Sequence, residues 1–393
     1  MSTSAHSRIG TLTRLGTIIG MAVLAACSEQ TTTNPLAPDQ AAASRDADYS
    51  RNAEGAVFVS TNGAVRNEIK AFRRDADGAL SPLGTFATGG RGVGGTGDPL
   101  TSQGVVAISP DHRLLFVANA GSNDVSVFRI KKDGLKLVER EPSGGTFPNS
   151  IAVTDDAAYV LNAASNRIGI FSYNESGNIQ LRGTAALSAN AAGGGTEVRV
   201  SPDGRLLDVT ERLTNTIDAF RIGDHGQLSE PVQRGAAGNT PFGFQFTPRG
   251  LLVVSEAGSA SASSYSQSHT GALAAISSAV SNGGQAAPCW LIVTPNGKYA
   301  YTANAGGSSI SGYAVGVDGS LTLLTAGGRT GDLGVGGNPL DIDFGANGRF
   351  LYVLKNGTGT VGSFVVNADG SLGALADTPG LVAAAGYMGL AAF

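Results

Sequence analysis

The sequence predicts an all-β chain folded as a seven-bladed β-propeller, four antiparallel strands to a blade, with the first blade closed by the C-terminal strand. Three observations carry this. An apolar run ends in a marked slot residue, and an aromatic follows nine positions later, in six copies: Asn119/Phe128, Asn162/Phe171, Glu211/Phe220, Glu256/Tyr265, Asn304/Tyr313 and Lys355/Phe364. A seventh copy, Asn62/Phe72, carries one extra residue. The two ends of the repeat array are complementary, since the first copy lacks its first strand and the chain finishes on a first strand with nothing after it.

Each copy justifies its own four strands. The first begins beside a proline or glycine, as in F-P-N-S-I-A-V (147–153), T-P-F-G-F-Q-F (240–246), A-P-C-W-L-I-V (287–293) and N-P-L-D-I-D-F (338–344). A tight turn such as P-D-G-R (202–205) or P-N-G-K (295–298) leads into the second strand, which ends at the slot. The third ends at the aromatic. A glycine turn and a short fourth strand follow, as in D-G-S-L-T-L-L (318–324). Alternating apolar residues between Gly, Asn and Asp turns indicate hairpin-linked antiparallel strands. Four of them in a repeat of this length make a propeller blade. Pairing Gly389–Phe393 with Val57–Ser60 would complete the first blade and remove both open edges.

The N-terminus stands apart. Arg8 and Arg14 precede an apolar run, L-G-T-I-I-G-M-A-V-L-A-A, that reaches Cys27 within L-A-A-C. The run has signal-peptide proportions and is too short to span a bilayer. Small residues before a cysteine form a bacterial lipobox. Residues 1–26 are therefore expected to be removed and Cys27 acylated, with 27–55 as a flexible tether to a propeller at 56–393. The expected location is the cell envelope, and Ser28 points to the outer membrane. An ordinary secretory signal is the alternative.

Composition narrows the function classes. Apart from Cys27 only Cys289 is present, so neither a disulfide framework nor a cysteine metal site is expected. Glycine accounts for 57 of 393 residues and charged residues for 15%, as suits a turn-rich β protein. A net charge of −4 without basic runs argues against nucleic acid. No cofactor or metal is expected, and a monomer is.

The repeated P-D-G-R-x-L and Y-V-x-N pieces (Y-V-L-N at 159–162, Y-T-A-N at 301–304) resemble those of the lactonase-type seven-bladed propellers. That family includes 6-phosphogluconolactonase and the 3-carboxymuconate lactonising enzyme. The resemblance spans about residues 56–393 and implies a lactone or sugar-like small molecule as ligand. Enzymes of the muconate branch place histidine, arginine and glutamate near the channel mouth. Here His112, His225 and His269 all lie in turns assigned to the opposite face.

Carboxylate, guanidinium and amide groups remain as candidates. Glu211, Glu256 and Lys355 replace asparagine at the end of strand two, and Arg212 adjoins Glu211. They either bridge loops or face a ligand. Aligning the first strands puts Ser150, Glu197, Gly243, Trp290 and Asp341 in one column, and Ala152, Arg199, Gln245, Ile292 and Asp343 in the next on the same side. Glu197, Arg199, Glu211 and Arg212 make blade four the densest in charge. Such a cluster can hold one carboxylate as general base while arginine stabilises an oxyanion; a self-neutralising network is the other reading. Glu211, Arg212, Glu197, Arg199 and Glu256 are thus the catalytic candidates, and Trp290, Asp341, Asp343, Gln245, Lys355 and Arg91 the substrate-binding ones. Trp290 can stack on a ring or plug the channel. Cys289 has no evident base to activate it. The glycine loops at 89–99 and 327–339 can act as arginine-bearing lids or as plain surface loops, and the G-x-G-x-x-G within the first lies between strands, not in a βαβ unit.

Three functions follow as expectations. The chain is a lactonase-like hydrolase of an exported kind, a cycloisomerase running the reverse ring closure, or a tethered binding propeller without chemistry.

Overall fold

A computed structural model describes residues 55–188 and 194–393. The signal, Cys27 and nearly all of the tether lie outside them. Seven antiparallel sheets follow one another along the chain, six of them in sequential strand order. Blade two spans Val106–Pro142, blade three Pro148–Ala186, blade four Gly195–Gly235 and blade five Pro241–Ser281; blades six and seven begin at Pro288 and Pro339. Blade one is built from both termini. Leu390–Ala392 pairs antiparallel with Gly55–Ser60, bringing Val57 opposite Ala392 and Val59 opposite Leu390. Among the described residues there is no α-helix, only two 3-10 turns, at Asp224–Gly226 and Ala346–Gly348.

The period-two pattern sets how blades pack. Successive side chains on a strand point to opposite sheet faces, and here both faces of the inner strands are covered by neighbouring blades. The aromatics at the nine-residue spacing, Phe128, Phe171, Phe220, Tyr265, Tyr313 and Phe364, are all buried. Tyrosines on the second strands bolt blade to blade through their hydroxyls. Tyr159 donates to the Gly226 carbonyl, Tyr301 to Gly370 and Tyr352 to Gly78, each in the glycine turn of the next blade. Such a turn needs glycine twice over. Gly370 has φ +82°, and a Cβ there would lie 2.6 Å from the Tyr299 ring.

The innermost strand of a blade is a sheet edge whose inward N–H groups have no ladder partner. Side chains from the preceding blade supply the acceptors. Ser150 Oγ receives Val198 N–H at 3.1 Å, Glu197 Oε2 receives Phe244 N–H at 2.5 Å, and Gln245 Oε1 receives Val293 N–H at 2.6 Å. Asp341 Oδ2 takes Leu390 N–H at 2.8 Å and Asp343 Oδ2 takes Ala392 N–H at 2.9 Å, which seals the closing strand to blade seven. The polar columns of the first strands are blade-to-blade fasteners as well as channel lining.

Candidate functional site

One end of the central channel is closed. The segment Leu100–Gly104, which leads into blade two, crosses it and bonds to three other blades. Gln103 N–H donates to Thr196 O at 3.0 Å, and Ile151 N–H donates to Gly104 O at 2.8 Å. The Gln103 amide donates to Leu291 O at 3.0 Å and accepts Leu291 N–H at 2.9 Å. Gly243 has no side chain for this edge, and a Cβ there would lie 2.1 Å from Gln103 Oε1, so Gln103 does the work of the missing residue. Trp290 completes the plug. Its indole N–H donates to Ser102 O at 2.9 Å, Phe242 meets its ring edge-on at 5.6 Å, and it is fully buried. Trp290 therefore presents no stacking surface to a ligand.

The other end is open, and there the channel widens into a cavity of about 410 Å³. Gln103 lies on its floor, while Ser109, Pro110, His112 and Pro202, from the turns between first and second strands, border it. The turns between first and second strands, which sequence reasoning assigns to the face opposite the working one, thus border the open end. His112 does lie in its expected turn, but that turn is at the rim. Its ring packs 4.8 Å from that of Phe393, and burial lowers its pKa below the ordinary histidine value.

The structure brings Glu197, Arg199, Gln245, Asp341 and Asp343 together in the cavity wall. Glu197 and Arg199 project from the same side of one strand. Arg199 Nε donates to Glu197 Oε1 at 2.5 Å, with the glutamate 1% exposed and the arginine side chain 30% exposed. The terminal nitrogens of Arg199 have no partner among the described residues. Burial raises Glu197 to about 7, against the opposing pull of Arg199 and of Phe244 N–H. Asp343 rises to about 6, again through burial, and Asp341 rises well above the ordinary aspartate value. One cation thus sits among three carboxyl groups that are reluctant to ionise together.

The remaining candidates lie elsewhere. Glu211 and Glu256 are fully buried within their blades and do not line the cavity. Glu256 accepts from Gly238 N–H and the hydroxyls of Ser261 and Ser263, at 2.6–2.7 Å, tying strands two and three to the loop that enters blade five. Asn119 and Asn304 do the same job with opposite polarity, donating to partners five and seven residues on: Asp124 and Ser126, Ser309 and Ser311. Glu211 meets Thr214 and Thr216. Lys355 pairs with Asp377. The slot is a structural address, with its side chain packed under the loops rather than over the channel.

Arg212 borders a separate pocket of about 340 Å³ with Asn149, Phe147 and Leu213, beside the plugged end. Arg91 shares an open surface groove with Arg66 and Arg140. Its loop is tied down: Arg91 N–H donates to Ser122 Oγ at 2.8 Å and Gly92 N–H to Gly63 O at 2.9 Å. In the second glycine loop Arg329 is paired with Asp332 at 2.8 Å. Cys289 is buried, and burial lifts its thiol far above the ordinary range. No group of three or more potential metal ligands occurs among the described residues.

What sequence reasoning missed was Gln103, whereas plugging the channel was one of the two readings open for Trp290. Gln103 reaches a strand 188 residues away, and the one visible sign was Gly243 standing in a polar column.

Comparison with known proteins gives a consistent result. A family model described as Lactonase, 7-bladed beta-propeller, matches residues 44–187, 154–287 and 284–384. The chain is 27% identical over 210 residues to a 6-phosphogluconolactonase of Bacillus subtilis, covering 50% of this chain and 59% of that one. It is 25% identical over 132 residues to an uncharacterised protein of Staphylococcus epidermidis, covering 32% and 38%. The chain thus spans less than two thirds of these curated relatives. Among solved structures, the periplasmic gluconolactonase of Pseudomonas aeruginosa superposes with a TM-score of 0.68 at 17% identity, over 86% of this chain and 99% of that one. A Lactobacillus plantarum protein gives 0.68 at 18% identity, over 86% and 99%. At these identities the structural likeness speaks for the fold alone.

Proposed function

The chain belongs to the seven-bladed β-propeller lactonase family, and on that premise we propose that it is a lactonase-like hydrolase whose reaction takes place in the channel cavity. The observation that carries the reading is the Glu197–Arg199 pair. It combines a carboxyl raised to about 7 with a guanidinium whose terminal nitrogens point at no protein acceptor, in a cavity closed at one end. A general base works best with a pKa near the working pH. Strongly perturbed groups in a cleft are candidates for such roles.

In this mechanism a water attacks the lactone carbonyl while the Glu197 carboxylate accepts its proton. The free N–H groups of Arg199 stabilise the tetrahedral oxyanion. Collapse breaks the ring C–O bond, and the proton held by Glu197 passes to the departing alkoxide, giving an open-chain hydroxy acid. Asp343 and Gln245 hold the ring hydroxyls. Lactone hydrolysis measured above the spontaneous rate, on the 56–393 body and its Arg199→Ala variant, tests this. Loss of turnover in the variant supports it, and an unchanged rate refutes it.

One observation favours a second reading, a binding propeller without turnover. Glu197, Asp341 and Asp343 all accept backbone N–H groups, work that a purely structural network would require. A lipid anchor at Cys27 stays part of the proposal under either reading. A Cys27→Ser variant that still incorporates a labelled fatty acid would remove it.

A further inference from the structure

The cavity carries a charge inventory that bears on which lactone it takes. Among the described residues Arg199 is the sole lysine or arginine in its wall, and its Nε is committed to Glu197. His112 at the rim has its pKa lowered by burial, which disfavours the charged imidazolium. Against this single cation stand three carboxyl groups, Glu197, Asp341 and Asp343. They sense one another: Asp343 raises Glu197, and both Asp343 and Glu197 raise Asp341. Any further negative charge meets groups that already resist ionising side by side.

The turns at the open end carry Arg113, Arg205, Arg249, Lys298 and Arg349, none of which lines the cavity. Arg113 and Arg205 lie beside their own turn carboxylates, Asp111 at 3.7 Å and Asp203 at 4.0 Å. Arg74 donates to the Phe393 main-chain oxygen and to the Asp75 carbonyl. Blade three contributes Asp155 and Asp156 to the same end and no basic residue. What the wall offers in plenty is hydrogen-bond acceptors, the spare lone pairs of the carboxyl groups. Gln245 adds a donor, since its oxygen is taken by Val293 N–H and its NH₂ has no partner among the described residues. Hydroxyl groups match such a wall, and a phosphate does not.

We propose, resting on the hydrolytic reading above, that the channel cavity accepts an uncharged, hydroxyl-rich lactone, rejects its phosphorylated counterpart, and uses the same charge to expel its product. Ring opening converts a neutral substrate into a hydroxy acid, which ionises to a carboxylate beside Asp341 and Asp343. Like-charge repulsion then drives it out through the open end. The discrimination deepens as pH rises and these carboxyl groups lose their protons.

The test compares kcat/KM for an uncharged hexono-1,5-lactone with that for its 6-phosphate ester, corrected for spontaneous opening, at about pH 6 and about pH 8. A preference for the uncharged lactone of about tenfold or more is expected. It should widen toward pH 8 and narrow in Asp343→Asn, with the hexonate product a poor inhibitor of the wild type. Equal or faster turnover of the phosphate ester overturns the inference and leaves the hydrolytic reading standing. If neither lactone is turned over, the hydrolytic reading fails instead. Calorimetry with an uncharged hexonolactam and its 6-phosphate then decides the charge rule alone, and equal or tighter binding of the phosphate overturns it.

Discussion

Glu211 Oε1 and Asp218 Oδ1 are both buried and without a conventional hydrogen-bond donor, on the same face of the second and third strands of blade four. Burial of both carboxyl groups, and for Glu211 the neighbouring Asp218, favour the neutral acid. Where Asn119 donates an N–H to the residue seven positions on, Glu211 can donate only as a neutral acid, through its O–H. Burial first, and then Asp218, raise Glu211 to about 7, while Asp218 itself is raised by burial and steadied by Ser188 N–H at 2.6 Å.

Stability should therefore fall as pH rises through this window. The unfolded chain releases the Glu211 proton near the ordinary 4.5, the folded chain only near 7. Between those values each increase in pH favours unfolding, so the contribution is complete below 4.5 and lost above 7. Asp208, raised by burial to about 7 on the opposite face, acts in the same direction. A Glu211→Gln variant supplies a permanent donor and should melt about 2 °C higher than wild type at pH 8, from one regained hydrogen bond of about 1 kcal/mol. It should melt close to wild type near pH 5. A variant less stable than wild type at both pH values would contradict a neutral Glu211 in the folded chain.

The channel plug makes a second prediction. Gln103→Ala leaves Leu291 N–H and C=O unpaired in the interior, at a cost of about 2–3 kcal/mol. Gly243→Ala should cost a similar amount, because its Cβ displaces the Gln103 amide. Since both changes break the same contact, the double variant should be less destabilised than the sum of the two. Strict additivity of the unfolding midpoints would show that Gln103 does not substitute for a side chain at Gly243.

Closure of the ring gives a third. Asp341 holds Leu390 N–H and Asp343 holds Ala392 N–H, so the last strand is fastened on its channel side by these two aspartates. Asp341→Ala should cost about 1–3 kcal/mol by orphaning an interior N–H group. Hydrogen exchange should quicken first in Gly55–Ser60 and Leu390–Ala392, with blade four unaffected. Uniform acceleration across all blades would mean that the closing strand is not the weak seam.

The sequence carried the fold nearly in full, because a propeller writes its period into every blade. Slot, nine-residue interval and glycine turn all recur, and the incomplete copies at the two ends forecast the pairing of Val57 with Ala392. The site was only half legible. Period-two alternation placed Glu197, Arg199, Gln245 and Asp343 on one side of their strands, and they do line one cavity. The same rule cannot say whether a side chain at a strand end turns toward the channel or under a loop, and so it does not separate Glu211 and Glu256 from them. Which end of the channel is closed depends on Gln103 meeting Leu291 and Trp290 meeting Ser102 across the ring, contacts that leave no local pattern.

The measurement that bears most directly on the central claim is lactone hydrolysis by Glu197→Gln beside Glu211→Gln. Glu197→Gln keeps the side-chain shape and an oxygen acceptor while removing the base, so the account predicts a loss of about 10²–10⁴-fold in kcat. Glu211→Gln, buried away from the cavity, should retain turnover close to wild type. The reverse order, or equal rates for wild type and Glu197→Gln, would contradict the assignment of the reaction to the channel cavity.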